Sequence, residues 1–233
     1  MIHKSLALLA LLAALVGGAC SGDEDVIDPE AVISSAIDRM AEVDSVKFFL
    51  ERTGVPVYID NDGILEFTSA EGRFSAPEST DALLTVRALG IPTQVGAVQI
   101  GADTWITNPL TGSWEDAPPG FTFDVAALFD PTTGWSALLD GGLTNVHFVA
   151  EEELAGEMLV HFRVTAPSDR IEQITAGMVS GQAVDGDLWV LSSTGEIREL
   201  SFTTDMPDGV TTWSLGMTEY GAEVEITPPD LDG

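Results

Sequence analysis

The chain has 233 residues, 45% of them hydrophobic, with 9 Lys+Arg against 38 Asp+Glu and a formal charge of −29. That length suits one ordinary domain, or two small ones, around a sizeable core; the acidity excludes a nucleic-acid role, which needs a Lys/Arg footprint along the phosphates. A single cysteine excludes an intramolecular disulfide and a cysteine-based zinc site, and charges interspersed with Val, Ile, Leu and Phe exclude a disordered acidic chain.

Met1 to Lys4 leads into Ser5 to Val16, a twelve-residue apolar run (SLALLALLAALV) that is too short to span a bilayer. It predicts a signal peptide over 1–19. Gly17-Gly18-Ala19 runs directly into Cys20, after which Ser21-Gly22-Asp23-Glu24-Asp25 is abruptly polar. This resembles a bacterial lipobox, with Gly17 where Leu is usual, and the resemblance implies that Cys20 is acylated and becomes the mature N-terminus. The alternative is plain signal-peptide cleavage beside an incidental thiol. Loss of 1–19 leaves 8 Lys+Arg against 38 acids, with Lys47 the only lysine. Attachment to the outer face of the cell membrane then rests on acyl chains and not on a basic patch.

Residues 20–27 form the acylated cysteine and an acidic tether, and 28–227 the folded domain. Asp28-Pro29-Glu30 is a helix start, with a capping side chain, a proline where its missing N–H is harmless, and an acid in the first turn. Val32, Ile33, Ala36, Ile37, Met40 and Val43 then form one apolar face. From Ser45 the period becomes two: Val46, Phe48 and Leu50 alternate with Lys47, Phe49 and Glu51. Further strands are expected at Val55–Ile59, Ile64–Ser69, Leu83–Leu89 and Val95–Ile100, with turns at Asn61-Asp62-Gly63 and Gly101-Ala102-Asp103. Closely spaced strands argue for an antiparallel meander. Thr122–Phe129 and Asp130–Leu139 read as two short helices closed by Asp140-Gly141-Gly142. Strands return at Asn145–Ala150 and Met158–Thr165, where Met158, Val160, Phe162 and Val164 share a face. A helix follows from Ser168, with Ile171, Ile174, Thr175 and Met178 as its stripe. The last strands are Leu188–Leu191, Ile197–Thr203 and Trp213–Tyr220, before an acidic tail over 228–233.

The sequence carries no recognisable catalytic constellation. His147 and His161 alternate with apolar neighbours, so both are expected to be exposed and inert, and no spacing supplies a third zinc ligand. Asp60-Asn61-Asp62-Gly63 lacks the later ligands of a calcium loop and reads as a hairpin turn. Gly134-Trp135-Ser136 is followed by Ala137-Leu138, so no nucleophile elbow forms. The expectation is a non-enzyme without metal or cofactor.

Ordered segments through the chain resemble the LppX/LprA/LprF/LprG family of envelope lipoproteins: Asp103-Thr104-Trp105-Ile106, Gly112-Ser113-Trp114, and Phe129-Asp130-Pro131-Thr132-Thr133-Gly134-Trp135-Ser136-Ala137-Leu138-Leu139. Leu188-Trp189-Val190 through Gly195-Glu196-Ile197-Arg198, and Glu219-Tyr220-Gly221 with Val224 and Ile226, continue the match. The resemblance implies an α+β fold, a strongly curved antiparallel half-barrel with helices packed in its concave face, similar in shape to the LolA/LolB carriers. It also implies a cavity for the acyl chains of envelope lipids or glycolipids. The residues expected to line it are Val46, Phe48, Leu50, Leu65, Phe67, Val86, Val98, Ile100, Leu128, Trp135, Leu138, Val160 and Phe162. The expected protein is a monomeric carrier or presenter of lipids, anchored through Cys20, with a membrane transporter as candidate delivery partner. The alternative is a solid-core structural or signalling lipoprotein that binds a protein partner through its acidic surface.

Overall fold

The structure, a computed structural model, describes residues 27–60, 62–119, 121, 125–130, 132–154, 156–174 and 179–231. Cys20, the signal peptide and most of the tether lie outside the described residues, as do Thr175 and Met178. Helix α1 (Pro29–Ala41) starts as its sequence dictates: the Asp28 carboxylate accepts the Glu30 N–H at 3.0 Å, and Val32, Ala36 and Met40 form the buried stripe.

Seven strands follow: β1 (Ser45–Gly54), β2 (Val57–Tyr58), β3 (Leu65–Ser75), β4 (Ser79–Ala88), β5 (Ile91–Ile100), β6 (Asp103–Thr107) and β7 (Trp114–Asp116). A helical segment comprises a 3-10 turn at Ala126–Phe129, one α turn, α2 (Trp135–Ala137), and a wide turn at Leu138–Gly142. Then come β8 (Thr144–Leu154), β9 (Glu157–Ala166), the short helix α3 (Ser168–Ile174), β10 (Val184–Leu191), β11 (Ile197–Met206) and β12 (Gly209–Thr218).

The strands form one antiparallel sheet in the order β7-β6-β5-β4-β3-β1-β12-β11-β10-β9-β8, with β2 paired to β3. The chain runs as two meanders joined at the centre, where β1 lies beside β12 with Phe48 opposite Met217 and Leu50 opposite Leu215. The ends of the sheet, β7 and β8, do not pair with each other, so the barrel stays half open. Register breaks at Phe67/Ser69, Trp189/Val190 and twice along β8 sharpen the local bend. The concave face is packed under α1 and the helical segment, and no helix of the described residues is long and apolar enough to cross a membrane.

Several boundaries differ from the sequence expectation. The strand expected at Val55–Ile59 is only two residues long, because Pro56 follows a bend at the end of β1. Asp130–Leu139 does not form one helix: the chain doubles back at Gly134, where a Cβ would sit 2.3 Å from the Leu128 carbonyl oxygen. The closing strand stops at Thr218, since Glu219 turns into the left-handed region at φ 52°.

Candidate functional site

Alternation puts one side of most long strands into the concavity, β8 being exposed along almost its whole length. Val46 and Phe48 of β1, Phe67 of β3, Val86 of β4, and Val160 and Phe162 of β9 all join the buried core, with Leu50 and Leu65 packed against it. The helical segment adds Trp135 and Leu138 from above, with Leu128 partly buried at the margin. Between this cover and β9, β10 and β11 lies an enclosed gap of about 20 Å³, lined by Trp135, Leu138, Leu139, Leu143, Val164, Ala166, Ile171, Val184, Gly186, Leu188, Leu200 and Phe202. Every lining residue is apolar or glycine. That volume is room for about one water-sized sphere, so this part of the concavity is closely packed.

The two parts of the cover are held differently. Helix α1 is tied down by polar contacts: Arg39 pairs with Glu196 at 3.0 Å and lies 5.2 Å from the Tyr220 ring centroid. Tyr220 in turn donates its hydroxyl to the Ile197 carbonyl at 2.7 Å, and burial, reinforced by the nearby Glu196 charge, pushes its phenol well above the ordinary range. The helical segment instead rests on apolar surface, with Phe129 stacked on Phe74 at 4.2 Å. Its polar bonds at Asp130 are local. There one carboxylate oxygen accepts the Thr132 and Thr133 N–H groups at 2.8 and 2.9 Å and both hydroxyls at 2.6 and 3.0 Å. These bonds, those of Thr132 foremost, hold the Asp130 carboxyl below its usual value.

Beside this cover the rim opens as a recess of about 610 Å³, bounded by Pro77, Glu78, Gln99, Gly101, Ala102, Ala126, Ala127, Asp130 and Thr133. Gln99 faces its cross-strand neighbour Thr80, and Gln99 Oε1 and Thr80 Oγ1 are both buried without a hydrogen-bond partner.

Val98 and Ile100 do not line the concavity. They lie on the outer face of β5, because it is Val95 and Ala97 that enter the core. Val98 is covered from outside, paired with Trp105 and Asp81, and borders an open outer recess with Trp114, Leu83, Arg73 and Lys47. Met158, at the start of β9, is exposed although the rest of its stripe is buried. His147 is exposed as expected, whereas His161 is buried at 9% exposure. Its ring stacks on Trp189 at 4.4 Å, with Nδ1 3.0 Å from Glu152 Oε1 and Nε2 2.8 Å from Asp187 Oδ1. It still points away from the concavity, but side chains from the strands on either side, β8 and β10, cover it on the outer face.

Arg52 gives no sequence signal beyond interrupting the apolar alternation of β1. It is buried on the concave side, bonded to the carbonyls of Phe67 at 2.7 Å, Gly54 at 3.2 Å and Val55 at 2.6 Å, and paired with Glu66 at 2.6 Å. The Asp60 carboxylate is used by its own turn, accepting the N–H groups of Ile64 and Leu65. Among the described residues no group of three or more His, Cys, Asp or Glu could hold a metal ion. The interior therefore offers apolar contact surface and few polar handles.

Comparison with known proteins agrees with this architecture. The chain matches the LppX_LprAFG lipoprotein family model over residues 28–226. No curated protein sequence matches it. LprF from Mycobacterium bovis aligns with a TM-score of 0.68 at 16% identity, covering 87% of this chain and 98% of that one. Lipoprotein LppX from Mycobacterium tuberculosis aligns with a TM-score of 0.61 at 16% identity, covering 86% of this chain and all 100% of that one. A LolA superfamily protein from Nitrosomonas europaea aligns at a TM-score of only 0.28, too low to bear on the fold.

Proposed function

Because the chain belongs to the LppX_LprAFG lipoprotein family, we propose that it is anchored through an acylated Cys20 on the outer face of the cell membrane. There it takes acyl chains of envelope lipids or glycolipids into the concave side of its sheet and carries or presents them as a monomer. The observation that supports this reading is the gap between the helical segment and β9–β11, whose lining residues are apolar or glycine. In this reading, lifting that segment exposes two hydrocarbon walls, and the open rim beside Ala126 and Asp130 is the side from which a chain enters. A buried CH₂ contributes about 0.8 kcal/mol, so a long chain can offset the separation of the walls. Apparent affinity is then lowered by the fraction of time the site is shut. A membrane transporter is the candidate source or recipient of the cargo.

The enclosed gap of about 20 Å³ favours a second reading, a solid-core lipoprotein that meets a protein partner through its acidic surface. One experiment separates them. The chain made without residues 1–19 is sprayed under native conditions and titrated with a fluorescent fatty acid. Heterogeneous acyl adducts and saturable displacement by unlabelled lipid are expected of the carrier. A single bare mass with no saturable binding would leave the solid-core reading.

A further inference from the structure

Two tryptophans stand in the buried core, and only one has its N–H satisfied. Trp213 donates Nε1 to Thr204 Oγ1 at 3.1 Å. Trp135, 2% exposed, keeps Nε1 out of contact with solvent and without any hydrogen-bond partner. A buried indole normally finds an acceptor, because leaving the group desolvated and unpaired is costly. Trp135 lines the apolar gap among Leu138, Leu143, Val164, Ile171 and Leu188. The gap of about 20 Å³ could admit one water, but an ordered buried water makes two to four hydrogen bonds and the rest of the lining is hydrocarbon or glycine. Trp135 thus brings to the gap it lines a buried, unsatisfied donor, and no other lining residue carries an acceptor side chain to meet it.

We propose that Trp135 Nε1–H is the specificity-determining donor of the concave site, bonding an acceptor oxygen that the ligand itself brings into the hydrocarbon. The group that fits is the carbonyl of an ester or amide at the head of an acyl chain. It is neutral, accepts without donating, and is continuous with the chain that the apolar walls hold. An alkane leaves the N–H unpaired, and a free carboxylate adds the desolvation of a charge. The inference rests on the acyl-binding reading and narrows it to acyl derivatives.

The test uses methyl palmitate and octadecane, chains of similar length with and without the carbonyl, as competitors for a bound fluorescent fatty acid. The wild-type chain is expected to prefer the ester by about tenfold, the order of one hydrogen bond made in an apolar site. Trp135→Phe, which removes the N–H and keeps an aromatic plate, should reduce that preference to near unity. A second measurement needs no variant. In the ¹⁵N-labelled wild-type chain, the Trp135 indole resonance, assigned through bonds, should move downfield with the ester and not with the alkane. Equal affinity for the two probes, or an indole resonance indifferent to the ester, overturns the inference while leaving acyl binding intact. No competition by either probe overturns both.

Discussion

The turn between β10 and β11 touches the middle of α1: a Cβ on Gly195 would fall 2.5 Å from both the carbonyl carbon and the carbonyl oxygen of Ser35. Gly195 also holds a φ of 72°, which an L side chain rarely adopts. Both constraints act against any substitution. Gly195→Ala should therefore destabilise the chain by about 1–3 kcal/mol, read as a lower urea midpoint. An unchanged midpoint would mean that α1 is not seated on this turn.

Arg52 closes one end of the concave core with four hydrogen bonds, to three carbonyls and the Glu66 carboxylate. Arg52 is buried, and removing it leaves three carbonyls and the partly buried Glu66 carboxylate without this donor. Arg52→Ala is expected to cost about 3–5 kcal/mol, and much of the loss should not add to that of Glu66→Gln in a double-mutant cycle. Strict additivity would show that the pair does not act as a unit.

Tyr220 gives a pH dependence with a definite sign. Burial raises its phenol above the ordinary value near ~10, so in alkali the unfolded chain releases a proton that the folded chain retains. The unfolded state then binds fewer protons, and stability falls as pH rises past the ordinary tyrosine range. A denaturation series above that range should show this loss, and Tyr220→Phe should remove it. Absorbance titration of Tyr58→Phe, which leaves Tyr220 as the only tyrosine, should show no phenolate at the ordinary midpoint.

Asp130 is the knot that shapes the entry to the helical segment. Its carboxyl is held below the usual value, so the stabilisation is present above that value and disappears as pH falls through the lowered one. Asp130→Ala should accelerate amide exchange across residues 132–142 without lowering the global midpoint comparably. Under the carrier reading, uptake of a fluorescent fatty acid should quicken in the same variant. Exchange confined to wild-type rates would place the hold on this segment elsewhere.

How much of the fold and site is legible in the sequence depends on whether a residue's surroundings are local. β1 and β9 are legible because Val46, Phe48, Val160 and Phe162 sit in strands that are apolar on one side, and period two identifies such a side without reference to partners. β5 is apolar on both sides, since Trp105 and Trp114 border the outer one. Periodicity alone therefore does not choose Val95 and Ala97 over Val98 and Ile100, and a one-residue register error exchanges the faces. His161 departs from expectation for a different reason. Its alternation holds, but Glu152 and Asp187 come from strands on either side, and a sequence does not show what a neighbouring strand will place beside an outward-facing ring. Arg52 likewise gains Phe67 and Glu66 only once β3 lies alongside β1. The helical segment lies where the sequence places it but is less regular than its pattern suggests, because the chain folds back on itself so that Gly134 meets the backbone of Leu128 and Asp130, a local turn that apolar periodicity does not report.

The pairing of β1 with β12 at the middle of the sheet sets the order in which this chain can become a protein. On one side β1 pairs early with β3, but its other side, over residues 47–54, is met by 211–218, so the two meanders join only once β12 is available. Contacts of such high sequence separation carry a loop-closure penalty that must be met before they reward the chain. A chain made or threaded N-terminus first can therefore pair β1 with β3 and build the first meander early, but it holds its central seam open until β12 is available.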